Sequence, residues 1–489
     1  MAKSNLIIFK KTCIMVVLTL ILVFLVEGCS LKEKRIQTGS YQKIEKQKVE
    51  NKFSKRFPLQ TKKLVVLCTD SPYDYAIVKG TPVGLAYELL HLFAQDNGLD
   101  LQVKTVANRN QLLDNLKMGN GDIAVTSLYS ASQSDQIRYT LPLLTTNIRL
   151  IERTNSEHIQ MSSYTADSSR TDLQVLNGKK IIVLKKTSLK DSLKVYKRKH
   201  HLNFIIEEAA DSLTQEDLIE MVASGKIDYT AAEGNVAEAM GAYQKKINTH
   251  TQLMDSFPVT WAVNVQAVGV LEAVNKWIVK RKGSLAYNMI VNKYTQLSKR
   301  EKKAIQTQFV QAKTRTISHY DELLKSYANG WDWRLLAALV YQESKFDPKA
   351  RSQAGAIGLM QVLPATAKWL GNKPAGLQSP QDNIHAGMQY LQWLKAKWEQ
   401  IIADEDEVIK FTLASYNVGF GHVQDARLLA KKYHLNPLKW EGNVEKMLLA
   451  KSKAKFYQDP AVKYGYCRGK EPVNYVQNIL YYYQHYQNI

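Results

Sequence analysis

Twice between Lys62 and Tyr294 the sequence alternates strand-forming with helix-forming segments, and beyond Ile317 it abandons strands altogether. The first cycle runs from the strand KLVVLC at Lys63 through helical Gly84–Asn97, strand Leu101–Val106 and helix Gln111–Met118 to strand Gly121–Val125. The second opens with KKIIVLKKT at Lys179 and continues through FIIEEA, a helix over Leu218–Ser224 and a strand over Ile227–Ala231. Such alternation predicts parallel sheets covered by helices, and two cycles predict two lobes in series. The last third keeps one period, predicting helices over Ile317–Ala328, Trp333–Ser344, Pro364–Leu370, Asp382–Ile402, Val408–Asn417, Gly421–Lys432 and Val473–Tyr486. The expected fold class is therefore multi-domain: α/β and two-lobed first, all-α afterwards.

A chain of 489 residues holds about three domain-sized units. The boundaries expected are an export signal at 1–29, a basic tether at 30–58, the two-lobed domain at 59–297 and the helical domain at 298–489. The last begins with a Lys/Gln/Thr-rich helical connection anchored by Ile305 and Phe309. Lys3, Lys10 and Lys11 precede the apolar run Cys13–Val26, which is short for a membrane span and suits a signal segment. Gly28-Cys29 then reads as a lipoprotein processing site with Cys29 lipidated. Glu27 is unusual two places before such a cysteine, so an uncleaved N-terminal anchor is the alternative.

The net charge of +21 suits an anionic partner: nucleic acid, anionic lipid or a charged wall polymer. The other reading is solvated lysines with no partner. No zinc-type spacing, RNA-binding aromatic signature or helix-turn-helix pattern supports nucleic acid. Cys68 and Cys467 fall in different domains and read as buried small apolar residues rather than a disulfide. No metal-ligand spacing occurs, and no cofactor is expected.

Chemistry concentrates at Tyr341–Gln361, YQESKFDPKARSQAGAIGLMQ. Asp332 can cap a helix on which Leu335, Leu336, Leu339 and Val340 form one apolar stripe. Glu343, three past Val340 and four past Leu339, continues that stripe and faces the interior. Desolvation and the negative end of the helix dipole both raise its pKa. A carboxylic acid held protonated near neutral pH is what cleavage of an acetal bond requires of its general acid. The plainer reading is a helix-end glutamate paired with a lysine such as Lys345.

Four motifs follow one another in order: Glu343-Ser344, Ser352, Gly355 to Gln361, and Ala414-Ser415-Tyr416-Asn417 with Gly419; Tyr475, Val476 and Ile479 follow near the C-terminus. Over roughly Trp331–Tyr486 the chain resembles the soluble lytic transglycosylase family, which has a lysozyme-like fold; Ser415 stands where that family often has Ala. The resemblance implies Glu343 as the catalytic acid and base, Ser344 and Ser352 bonding it or the substrate, and Met360 and Gln361 lining the saccharide groove. It further implies that Tyr416 and Asn417 orient acid and sugar and that Tyr475 reaches in from the last helix. For each of these but Glu343 the alternative is core packing or capping, and for Ser352 a simple turn.

In the first domain, Gly80–Leu89 and the repeats Met118–Asp122 and Ser224–Asp228 resemble the periplasmic solute-binding proteins of family 3, which capture polar amino acids. Glu233, five past Asp228, matches the acidic position that holds a ligand amino group. The family's carboxylate-gripping arginine falls at Gln133, and Arg138 is out of register. The domain therefore binds an amino acid, a different ligand such as a wall peptide, or nothing.

A hydrolytic glycosidase needs two carboxylates. Asp347 is followed by Pro348, and Asp382, Asp404, Asp406 and Asp425 have no motif context. The resemblance supplies a route with one acid, in which the C6 hydroxyl of N-acetylmuramic acid closes onto C1 and leaves a 1,6-anhydro end. The order of export signal, binding-protein-like domain and lysozyme-like domain resembles that of membrane-bound lytic transglycosylases, which implies attachment at the periplasmic face of the outer membrane and action on peptidoglycan strands. A hydrolytic muramidase and a wall-fragment sensor with an idle catalytic domain are the competing readings.

Overall fold

In the computed structural model the described residues are 63–69, 71, 73–107, 109–126, 135–154, 173–185, 187–296, 303, 307 and 314–489. The export segment with Cys29, the tether, Gln133, Ile305 and Phe309 lie outside them. The two expected parallel sheets are present. In the first lobe β1 (Lys63–Thr69) lies between β4 (Asp100–Val106) and β5 (Ile123–Thr126), parallel to both. In the second, β8 (Lys180–Val183) lies between β9 (Ile205–Glu208) and β10 (Tyr229–Glu233), again parallel to both. β7 (Leu144–Arg153) and β12 (Gln252–Asn264) run antiparallel and join the lobes into one continuous sheet. β12 pairs with β5 through Thr260–Val263 and with β7 through Gln252–Val259, bulging twice on the way; β6 (Ile137–Tyr139) also pairs with β12, and β11 (Ile247–Asn248) with β7. Between β1 and β4 stand a hairpin, β2 (Ala76–Val78) and β3 (Thr81–Val83), and α1 (Leu85–Asn97).

Local chemistry sets the helix limits. α4 (Gln215–Ala223) starts three residues before the apolar period because Thr214 and Asp217 form a reciprocal capping box. α8 (Asp321–Tyr327) starts at Asp321 rather than Ile317, since the Asp321 carboxylate accepts the backbone N–H groups of Ile317 and Ser318. The remaining helices of the first domain are α2 (Arg109–Lys117), α3 (Leu189–Lys199), α5 (Gly234–Tyr243), α6 (Val268–Arg281) and α7 (Leu285–Thr295).

The helical domain is built around α9 (Trp333–Ser344), whose Leu335, Leu336, Ala337, Ala338, Leu339 and Val340 are all buried. Around it lie α10 (Pro364–Trp369), α11 (Pro380–Glu399), α12 (Glu405–Val418), α13 (Phe420–Lys432), α14 (Glu445–Ala450), α15 (Ala454–Tyr457) and α16 (Lys470–Tyr486). Trp398 packs edge-on against Phe411 in the core and donates its indole N–H to the buried Ser415 hydroxyl at 2.9 Å.

One apolar cluster runs from Leu64 and Phe93 in the first lobe to Leu336, Trp398 and Tyr486 in the helical domain. At the seam, His485 Nδ1 meets the Tyr75 hydroxyl at 3.0 Å, and Asn488 bonds the backbone of Thr105 and Val103. Tyr486 donates to Gly80 O at 2.7 Å, and Thr81 meets the Tyr341 hydroxyl at 2.7 Å. Gly80, at φ 78°, sits so close to Tyr341, Phe346 and Tyr486 that a Cβ would fall within 3 Å of each. Burial of His485 pushes its imidazole down to about 3, so it is neutral in the folded protein at neutral pH.

Candidate active site

α9 ends abruptly. Asp332 caps its start by accepting from Arg334 N, and at its end Lys345 and Phe346 take left-handed φ values of 55° and 64°. Glu343 therefore stands in the last turn, next to the carbonyl end of the helix. The Tyr475 hydroxyl of α16 donates to Glu343 Oε1 at 2.5 Å. Burial pushes the Glu343 carboxyl up to about 7, against the opposing pull of the Tyr475 hydrogen bond. Lys345 does not pair with it: its ammonium lies over the Tyr341 ring, 3.8 Å from the centroid.

The Gly-rich segment after α9 is a closed loop tied from three sides. The Ser344 hydroxyl bonds Leu359 O at 2.8 Å, fastening the loop to the helix end. Asn383 of α11 accepts Met360 N and donates to Ile357 O and Leu377 O. Gly358, at φ 79°, leaves room for that amide, which a Cβ would meet at 2.3 Å. The Tyr416 hydroxyl donates to Met360 O at 2.8 Å.

Several expected roles are placed differently. Ser344 turns to the loop rather than to Glu343 because a carbonyl lies within its reach. Ser352 holds a turn, accepting from Ala356 N at 3.0 Å. The Met360 side chain, expected to line the groove, is fully buried against Gly387 of α11, so its carbonyl is what it offers the site. Gln361 uses its amide N–H groups on Gly358 O and Ala350 O, which holds the residue itself at φ 49°.

Glu343, Asn417 and Tyr475 open onto a cleft of about 500 Å³ whose rim adds Gln342, Arg468, Lys470 and Glu471, with Asn474 and Asn478 beyond. Of the other carboxylates considered, Asp347, Asp382, Asp404 and Asp406 are exposed elsewhere, and none lines this cleft. Asp425 is buried and engaged by Lys451 Nζ at 2.7 Å and by the N–H groups of Lys463 and Tyr464. Glu471 does line the cleft and was not singled out from the sequence. Its spacing of four from Tyr475 on one helix was the available signal.

In the first domain Glu233 is buried at the end of β10; burial raises the Tyr73 phenol, and the charges of Asp74 and Glu233 add to it. Beside it, Glu216 of α4 accepts from the Ser71 hydroxyl of the first lobe at 2.6 Å, and burial lifts its carboxyl to about 7. Cys68 and Cys467 are both buried. Among the described residues no group of His, Cys, Asp or Glu has the arrangement to hold a metal.

A two-lobed α/β module joined to a helical module with one half-buried acid on a cleft defines a binding-protein domain fused to a lysozyme-like lytic domain. The family described as bacterial extracellular solute-binding proteins, family 3, matches residues 63–297, and the transglycosylase SLT domain matches residues 324–437. Membrane-bound lytic murein transglycosylase F of Pseudomonas putida (strain W619) is 33% identical over 86% of this chain and 84% of its own. The protein of that name from Desulfosudis oleivorans is 30% identical over 86% and 89%. A solved substrate-binding protein of an amino acid ABC transporter covers 48% of this chain and all of its own, at 17% identity and a TM-score of 0.39. This chain belongs to the membrane-bound lytic murein transglycosylase F family.

Proposed function

We propose that this protein is a peptidoglycan lytic transglycosylase, a lyase that cuts the β-1,4 bond between N-acetylmuramic acid and N-acetylglucosamine. The observation that carries the reading is Glu343: one half-buried carboxyl, lifted to about 7 by desolvation, with a tyrosine hydroxyl for a partner and a cleft before it. Protonated, it donates to the bridging oxygen as the C1–O bond breaks. As carboxylate, it then takes the proton of the muramic acid C6 hydroxyl, whose oxygen bonds C1. The first proton stays on the departing C4 hydroxyl of N-acetylglucosamine, the C6 hydroxyl proton restores the acid, and no water is consumed. The tethered nucleophile has a high effective concentration, which removes the need for a second carboxylate to activate water.

Tyr475 holds the acid, Tyr416 and Ser344 brace the loop facing it, and Asn417 is placed to meet the sugar. Ser352, Met360 and Gln361 act by shaping the loop, and Glu233 faces a small ligand, an amino acid or wall peptide, between the lobes. The protein works at the periplasmic face of the outer membrane, held by an N-terminal anchor at Cys29 or an uncleaved signal. The relatives' name supports attachment, while among the described residues no helix is long and apolar enough to cross a membrane.

Glu471 favours one second reading, a muramidase in which it serves as the other carboxylate. Mass spectrometry of muropeptides released from purified peptidoglycan separates the two. The lyase yields products one water lighter than reducing-end muropeptides, and Glu471→Gln still makes them. Reducing-end products that vanish in Glu471→Gln would establish the muramidase instead.

A further inference from the structure

Beyond the cleft, the face of the helical domain next to Tyr416 carries an aromatic corner that catalysis as described does not use. Tyr390 and Trp393 stand one turn apart on α11 with rings nearly parallel, 12° between planes and 6.2 Å between centroids. Both are half-buried, so the stacked pair stays partly open to solvent. Trp369 meets Trp393 edge-on at 5.0 Å and 86°, which turns the corner. The corner is continuous with the site at two points. Tyr390 touches the Tyr416 ring at 5.4 Å, and Trp369 ends α10, the helix entered directly from the Met360-Gln361 loop.

Packing does not account for Trp369. Trp398 and Trp440 of the same domain are fully enclosed, whereas Trp369 is 57% exposed. Enclosing an indole stabilises a fold, and this position leaves much of that stabilisation unrealised. The corner also has a polar rim, with the Lys397 ammonium 5.7 Å from the Trp393 centroid and Asn372 bonded to Gln389. Aromatic faces edged by hydrogen-bonding groups fit the C–H faces and equatorial polar groups of β-linked N-acetylhexosamines. Each centroid-to-centroid step is comparable to the advance of one sugar along such a strand.

We propose that Tyr390, Trp393 and Trp369 form a saccharide-binding platform that extends the groove past Tyr416 and carries the glycan strand beyond the bond being cut. The inference rests on the lytic reading for its occupant, a neutral amino-sugar chain, but not for its test.

The test uses the full chain carrying Glu343→Gln, so that saccharide is not consumed, titrated with the hexasaccharide and the disaccharide of β-1,4-linked N-acetylglucosamine while tryptophan emission is followed. The hexasaccharide changes the emission. Adding Trp369→Phe removes part of the change with little loss of affinity, and Trp369→Ala weakens hexasaccharide binding about three- to tenfold, more than it weakens the disaccharide. In the protein with Glu343 intact, Trp369→Ala lowers the ratio of cleavage on long strands to that on short ones. Hexasaccharide bound equally tightly with and without Trp369, or a loss independent of saccharide length, would overturn the platform and leave the corner as a protein-docking patch. Reducing-end products in the muropeptide experiment would overturn the lyase while leaving the binding result standing.

Discussion

Two glutamates, one in each domain, are lifted to about 7 by burial, yet only one can act on a substrate. Glu343 lies at the carbonyl end of α9, keeps an opening onto a cleft, and is met by a tyrosine hydroxyl. Glu216 lies in the first turn of α4, where the helix dipole favours its charge, and is enclosed between the lobes on the Ser71 hydroxyl. The same displaced pKa therefore arises from burial in both. A perturbed carboxyl marks a lack of water around it, and becomes a catalytic one only where a reacting oxygen can reach it.

The comparison breaks most visibly on isosteric substitution. Glu343→Gln keeps the shape of α9 and removes the proton, so release of muropeptides falls by at least about a hundredfold. Retention of more than a few per cent of activity would unseat the single acid.

A smaller effect sharpens the role of the partner. Tyr475→Phe deletes the hydrogen bond that holds the Glu343 pKa down, so the pKa rises further. In the wild type the rate falls as pH rises through about 7, because the donor proton is lost. In Tyr475→Phe that limb moves to higher pH while the maximum rate drops about tenfold. An unmoved limb would show that Tyr475 only fills space.

The smallest effect concerns Glu216. Its folded pKa is raised above that of the unfolded chain, so the folded form binds the proton more tightly and stability declines as pH rises from about 4.5 through 7. Glu216→Gln abolishes that contribution and narrows the difference in Tm between pH 5 and pH 8 by a few degrees. Product chemistry stays the same, and a change in it would mean that the two glutamates are not separable.

Much of this was readable in advance where one physical signal dominated. α9 has the expected limits because Asp332 caps it and its leucines keep one period up to Glu343. The parallel cores were likewise evident from β-branched runs between helices. What eluded the sequence depended on partners far along the chain. β7 and β12 mix polar residues with Pro258 and take their strand form from pairing with each other. Ser344 could not declare that Leu359 O would be nearer than the acid, nor Met360 that Gly387 would make room for its sulfur. Glu471 offered only its four-residue spacing from Tyr475, because its importance comes from the cleft it faces rather than from any motif.

The helix that delivers Tyr475 to the acid also carries, one to three turns later, the tyrosines and His485 that clasp the first lobe. Its contact with Tyr75 joins positions 410 residues apart. During synthesis the first lobe emerges long before the segment that fastens it, and domains generally fold as they appear. The catalytic cleft, lacking Tyr475 until then, is completed only when nearly all of the numbered sequence has left the ribosome. A purification tag or truncation at residues 481–489 would disturb fastening and chemistry together, so an added peptide is better placed elsewhere.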